Sequence, residues 1–133
     1  VLDWQYWKPD QWGSQQFDST RFPDPEGMID SLHHLYHSHI MVSVWPKYYK
    51  GLANYDLLNN KGFLFTRNIE ENRKDWLGYV STFYDAFNPE AAKVFWSLVC
   101  NNLYRKGIDA FWMDAAEPDI HSNLSIEHRK LLM

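Results

Sequence analysis

The chain is poor in several things. Among its 133 residues there is a single cysteine, Cys100, so an internal disulfide is excluded. Its neighbours Phe95, Trp96, Leu98, Val99 and Leu103 make it read as a buried helical thiol with a structural role. The redox compartment stays open. There is no block of basic residues, and the net charge is −4, which argues against nucleic acid and against an anionic membrane surface as partners. No apolar run approaches the ~20 residues that span a bilayer. The first residues, Val1-Leu2-Asp3-Trp4, carry neither the basic nor the apolar region of a signal peptide. Internal repeats and low-complexity stretches are also missing. One glycosylation sequon, Asn123-Leu124-Ser125, is near chance frequency and carries little weight.

What is abundant is aromatic. The aromatic fraction is 17%, with seven Trp and eight Tyr, enough to supply both a core and a sugar-stacking surface. Three short apolar runs, Val1–Trp7, Ile40–Trp45 and Ile108–Met113, have the length and the β-branched or aromatic content of buried strands. Asp24-Pro25 and Asn88-Pro89 are helix starts, each a capping residue followed by proline at the first helical position. After the first, Met28, Ile29, Leu32, Leu35 and Tyr36 predict a helix running to about His39. After the second, Ala92, Phe95, Val99 and Leu103 share one face, and Gly107 suits the C-terminal glycine position. A shorter helix is expected from about Ala53 to Lys61, closed by Gly62. Residues 63–87 have weak periodicity and many polar side chains, and read as a long, functional loop. Residues 125–133 read as the start of a further helix.

The resulting order, βαβαβ, implies an α/β fold with a parallel sheet. At 133 residues the chain is too short for a complete (β/α)8 barrel, which takes ~250. The expectation is a single partial barrel domain over residues 1–133, cut at both ends. Its open sheet edges would need the remainder of the barrel, or other copies of the chain, to cover them.

Chemistry concentrates where strands end. The last apolar run stops at Asp114, followed by Ala115-Ala116-Glu117-Pro118-Asp119. The first offers Asp3, Trp4, Gln5 and Trp7; the second offers Trp45. In a parallel barrel, side chains at carboxyl ends of strands converge on a substrate. Indole faces cover the apolar face of a sugar while carboxylates accept from its hydroxyls. Ordinary strand-end acids and core tryptophans would produce the same pattern, so composition alone leaves both readings open. His33 and His37, four apart on the first predicted helix with His34 and His39 nearby, suggest a two-histidine metal face. The H-E-x-x-H glutamate is absent, however, and no third ligand is evident; solvated helix-end histidines are the plainer reading. Glu70 to Asp75 reads as a solvated charge run. Asp18 and Arg21 suit a local salt bridge that orders the loop after the first strand.

Three stretches carry a family resemblance. They are Asp3-Trp4-Gln5-Tyr6-Trp7 with Trp12-Gly13-Ser14; Phe22-Pro23-Asp24-Pro25 with Ser43-Val44-Trp45-Pro46; and Ser81 to Pro89 with Trp112-Met113-Asp114-Ala115-Ala116-Glu117-Pro118-Asp119. Together they resemble glycoside hydrolase family 31, and within it the α-xylosidase branch. The resemblance implies the second to fourth strands of an eight-stranded α/β barrel. It implies Asp114 as catalytic nucleophile, Glu117 as a supporting acid, and Asp3, Trp4, Trp12 and Trp45 around the sugar. Trp112 occupies a place where other branches carry lysine, so that wall differs. The family's acid/base aspartate is expected beyond residue 133. Neither metal nor organic cofactor is implied for the reaction, which is retaining hydrolysis of a terminal α-xyloside. An α-glucosidase of the same family, or a fragment that binds sugar without turnover, are the alternatives.

Overall fold

The computed structural model describes residues 1–115 and Glu127. Helix α1 (Pro25–His34) is followed by strands β1 (Met41–Val44) and β2 (Lys47–Tyr49), then by helices α2 (Ala53–Asn59) and α3 (Arg67–Glu70). Strand β3 (Ser81–Phe83), helix α4 (Pro89–Asn102), a 3-10 turn (Tyr104–Lys106) and strand β4 (Ala110–Met113) complete the order.

The two helix starts form as the sequence dictates. Asp24 accepts from the Gly27 amide at 2.9 Å, and Asn88 from the amides of Glu90 and Ala91. Each cap satisfies backbone donors that a first turn leaves orphaned, and proline follows where no donor is needed. Gly107 ends the turn after α4 at φ +100, a left-handed conformation that glycine adopts without Cβ strain.

Strands β1 and β4 pair in parallel, with Met41 opposite Ala110 and Val44 opposite Met113. Leu2 adds a single parallel bridge on the other side of β1: its amide donates to the Met41 carbonyl at 2.7 Å and its carbonyl accepts from the Ser43 amide at 3.2 Å. The lateral order is therefore Leu2, β1, β4, the arrangement expected of neighbouring barrel strands. Ile29 of α1, Val42 and Val44 of β1, Phe95 and Val99 of α4, and Ile108 ahead of β4 are all buried in one apolar cluster.

Several expectations change. The first predicted strand shrinks to Leu2, because the Asp3 carboxylate accepts from the Trp4 amide at 2.7 Å and the chain turns out of the ladder. The helix predicted to His39 stops at His34. Leu35 and Tyr36 are exposed and His37 is left-handed at φ 48, so the one-turn spacing that would pair His33 with His37 does not form. Residues 63–87 are an ordered element rather than a loop: β3 pairs antiparallel with β2, Tyr48 opposite Thr82, and bridges join Leu64 to Tyr84 and Lys74 to Val80. The chain turns a corner at Trp45-Pro46 and re-enters a sheet as β2. Cys100 is half-buried rather than buried. The Asp18–Arg21 pair forms at 3.2 Å, and the Arg21 guanidinium also donates to the carbonyls of Gln5 and Trp7, fixing the aromatic loop after Leu2.

The charge run holds the unexpected centre of the structure. Asp75 and Lys47 are both wholly buried, with Lys47 Nζ 2.7 Å from Asp75 Oδ2. The Tyr49 hydroxyl donates to the same oxygen at 2.7 Å. Asp75 Oδ1 accepts from the amides of Leu77 and Tyr79, so one carboxylate also shapes the turn that carries Trp76. The ammonium lies 4.1 Å from the Trp12 ring centroid and 4.4 Å from that of Trp76. A cation between two indole faces in a dry site adds ~2 kcal/mol or more to the pair. Gly13 lets the Trp12 loop close onto β2: a Cβ there would meet the Lys47 carbonyl oxygen at 2.7 Å.

Removing one partner of such a pair costs ~3–5 kcal/mol, because the other charge stays buried. Asp75→Ala is expected to lower stability by about that amount in urea unfolding, while the double change Lys47→Met, Asp75→Leu recovers most of it. Burial opposes ionisation of Asp75, but the hydrogen bonds from Lys47 and Tyr49 and the Lys47 charge outweigh it and hold the carboxyl below its ordinary value. Its folded value thus lies under its unfolded one. The stability it contributes is full above the ordinary carboxylate value of about 4 and is lost as pH falls through the folded value. Tryptophan emission followed during acid titration should report this loss, and the acid-labile step should disappear in the double variant.

Candidate active site

At the carboxyl ends of β1 and β4 lies an open cleft of about 340 Å³, lined by Asp3, Trp4, Trp45, Trp76 and Asp114. Each arrives by a different route. Asp114 follows β4 directly, and its amide donates to the Val44 carbonyl at 3.0 Å, extending the ladder by one bond. Trp45 follows β1. Asp3 and Trp4 leave the sheet just after the Leu2 bridge. Trp76 enters from the turn built on Asp75.

The carboxylates are held by local geometry. Asp114 Oδ1 accepts from the Ala115 amide at 2.8 Å, and Ala115 has a left-handed φ of 41. Asp3 Oδ1 is engaged by the Trp4 amide. In each case the bond is from the next residue's own amide, which orients the side chain at the strand end; no salt bridge to either carboxylate forms among the described residues. The cleft therefore presents two acids and three indoles, Trp4 and Trp76 being 41% and 47% exposed. Such a surface can stack against one face of a ring and accept hydrogen bonds from its hydroxyls.

Trp12 takes a different place from the one expected. At 1% exposure it does not line the cleft but stands behind it. Its ring lies 5.7 Å from Trp4, 4.7 Å from Trp45 and 5.3 Å from Trp76, with the last two edge-on. Trp12 thus supports all three cleft indoles, in geometries worth ~0.5–1.5 kcal/mol each beyond the buried area. It is buried because Lys47 and Tyr49 need a partner on that side. Trp112 is also absent from the lining. It shares a strand face with Asp114, two residues on, but is paired opposite Ser43 and is 54% exposed. Glu117 and Asp119 lie outside the described residues.

Sequence reasoning missed Trp76. Its segment had been read as functional, yet the residue itself sits in Asp75-Trp76-Leu77-Gly78, and a tryptophan inside a turn-forming quartet was the available signal. The buried Nε1–H groups of Trp12 and Trp45 have no acceptor among the described residues.

Comparisons with known proteins bear on the family and the fold. Residues 1–131 match the sequence model of the glycosyl hydrolases family 31 TIM-barrel domain. The crystal structure of a family 31 α-xylosidase from Xanthomonas citri superposes with a TM-score of 0.92 at 47% identity, over 100% of this chain and 15% of that one. That of a family 31 α-xylosidase from a soil metagenome, complexed with xylose, gives 0.76 at 35% identity over 88% of this chain and 17% of that one. An α-xylosidase of Saccharolobus solfataricus is 34% identical over 119 residues, which is 90% of this chain and 14% of the relative. The chain thus spans well under a quarter of the length of these relatives. Matched along nearly its whole length, it belongs to glycoside hydrolase family 31 and forms part of that family's TIM-barrel domain.

Proposed function

We propose that this chain carries the nucleophile half of a retaining α-xylosidase site. The observation that supports it best is the gathering of Asp114 with Asp3, Trp4, Trp45 and Trp76 in one cleft at the strand ends. Asp114 attacks the anomeric carbon of a terminal α-xylosyl residue and forms a covalent β-xylosyl ester. A second carboxylic acid, expected after residue 133, gives its proton to the departing oxygen and then takes one from the water that cleaves the ester. Two inversions retain configuration. Asp3 accepts from ring hydroxyls, and Trp4, Trp45 and Trp76 set the walls against which the sugar stacks. Glu117, three positions after the nucleophile in the sequence, is the supporting acid. Trp12 acts through the three indoles it holds.

The preference for xylose draws on the relatives named as α-xylosidases. An α-glucoside is the second reading, because a relative 36% identical over 121 residues, from Pseudescherichia vulneris, is named as an uncharacterized family 31 glucosidase. A xyloside lacks the hydroxymethyl arm of a glucoside, so an indole close to that carbon discriminates between them by ~1–3 kcal/mol.

Fluoride leaves without needing a proton, so an α-xylosyl fluoride separates the nucleophile from the acid. On mixing with the chain and quenching in acid, mass spectrometry should find one pentosyl ester on the peptide containing Asp114 and none in Asp114→Asn. Labelling elsewhere, or labelling that survives the substitution, overturns the assignment. Faster labelling by α-glucosyl fluoride favours the glucosidase reading. Trp76→Ala should weaken xylose binding roughly tenfold in a fluorescence titration, the loss of about one stacking contact, while Trp76→Phe keeps most of it.

A further inference from the structure

A second constellation lies at the opposite end of the same strands. Asp109 immediately precedes β4 and Ile40 immediately precedes β1, so both sit at the amino ends. Each strand is four residues long, which puts this end about 13 Å from the cleft at ~3.3 Å per residue. His33, at the end of α1, places Nε2 2.8 Å from Asp109 Oδ2. His39, in the connection to β1, places Nδ1 3.1 Å from Asp109 Oδ1. One nitrogen of each ring and one carboxylate oxygen all lie within 4.8 Å of one another.

We infer that His33, His39 and Asp109 bind one divalent transition-metal ion of the zinc class, which ties the end of α1 and the start of β1 to the start of β4. Two imidazoles and a carboxylate are the donors such an ion takes, at about 2.0–2.2 Å each. Tetrahedral coordination at those lengths sets donors about 3.4 Å apart. The two imidazole–carboxylate distances, 2.8 and 3.1 Å, are close to that, the three donors lie within 4.8 Å of one another, and His39, with its side chain 87% exposed, can shift to complete the set. Water fills the fourth position.

The surroundings favour a ligand role over a simple clamp. The Ile40 amide donates to Asp109 Oδ2 at 2.8 Å, which fixes the carboxylate from behind as outer partners of metal ligands do. His33 is held on the last turn of α1, beside Gly107, where even an added Cβ would come no nearer than 3.7 Å to its Cε1, so the ring has room on that side. The side chains of His33 and Asp109 are each 28% exposed, open enough for an ion to enter. Each ring turns one nitrogen to the carboxylate. When the ion binds, that nitrogen offers its lone pair and the ring proton sits on the other nitrogen. His34 is engaged with Asp30 at 2.9 Å and takes no part.

Cobalt(II) is the probe, because four-coordinate binding intensifies its visible absorption. The chain, stripped with a chelator and checked for folding by circular dichroism, is titrated with cobalt(II) and then with zinc(II) as competitor. The expected result is one saturable site, bleached by zinc. His39→Gln removes an exposed ring and leaves folding intact; it and Asp109→Asn should each weaken binding at least about tenfold. Zinc should raise the thermal midpoint of the unaltered chain but not of His39→Gln. Absence of a saturable spectrum overturns the inference. So does binding that survives His39→Gln, or that is lost only when His34 or His37 is replaced.

Discussion

One buried ammonium organises this structure. Lys47 sits at the start of β2, where its stem fills core space and its charge must be answered. Asp75, 28 residues later, answers it at 2.7 Å, and the indoles of Trp12 and Trp76 enclose it. Placing a full charge in a dry interior costs several kcal/mol, so the partners are constrained far more tightly than apolar neighbours would be. The same carboxylate then uses its second oxygen to shape the turn behind Trp76. An interaction internal to the fold thereby sets the position of a cleft wall.

The cleft depends on two layers of aromatic packing. The outer layer, Trp4, Trp45 and Trp76, faces the cavity; the inner layer is Trp12 alone. These contacts, tilted for Trp4 and edge-on for Trp45 and Trp76, set each outer ring against Trp12 while it lines the cleft. The acids complement this arrangement. Asp3 and Asp114 are each fixed by the next residue's amide, so among the described residues they hold their direction without a salt bridge.

Features governed by local chemistry were readable in the sequence. The two capped helices, the strands β1 and β4, and the acid at the end of the last run follow from Asp24-Pro25, Asn88-Pro89 and the apolar run ending at Asp114. Those governed by long-range pairing were not. Lys47-Tyr48-Tyr49 forms a strand only because Ser81-Thr82-Phe83 is beside it, and the charged stretch before β3 looked solvated because its key acid has its partner 28 residues away. Trp12 read as a cleft wall because sequence shows residue type and not depth. Leu35 and Tyr36 kept the helical rhythm beyond His34, yet the left-handed backbone at His37 sends the chain elsewhere. The histidines then meet a carboxylate more than 65 positions away, at the far end of the strands.

The hydrogen bond from the Asp114 amide to the Val44 carbonyl has a wider meaning. It fixes the alignment of β4 beside β1 one step past the last paired residues. Side chains alternate between the two faces of a strand, so sliding β4 by a single position would carry the carboxyl group to the opposite face and bring a neighbour's methyl or thioether toward the cleft. Backbone alignment between two four-residue strands therefore decides which side chains face the cleft, and on the proposed function, substitutions that touch no cleft residue would weaken the site by loosening it.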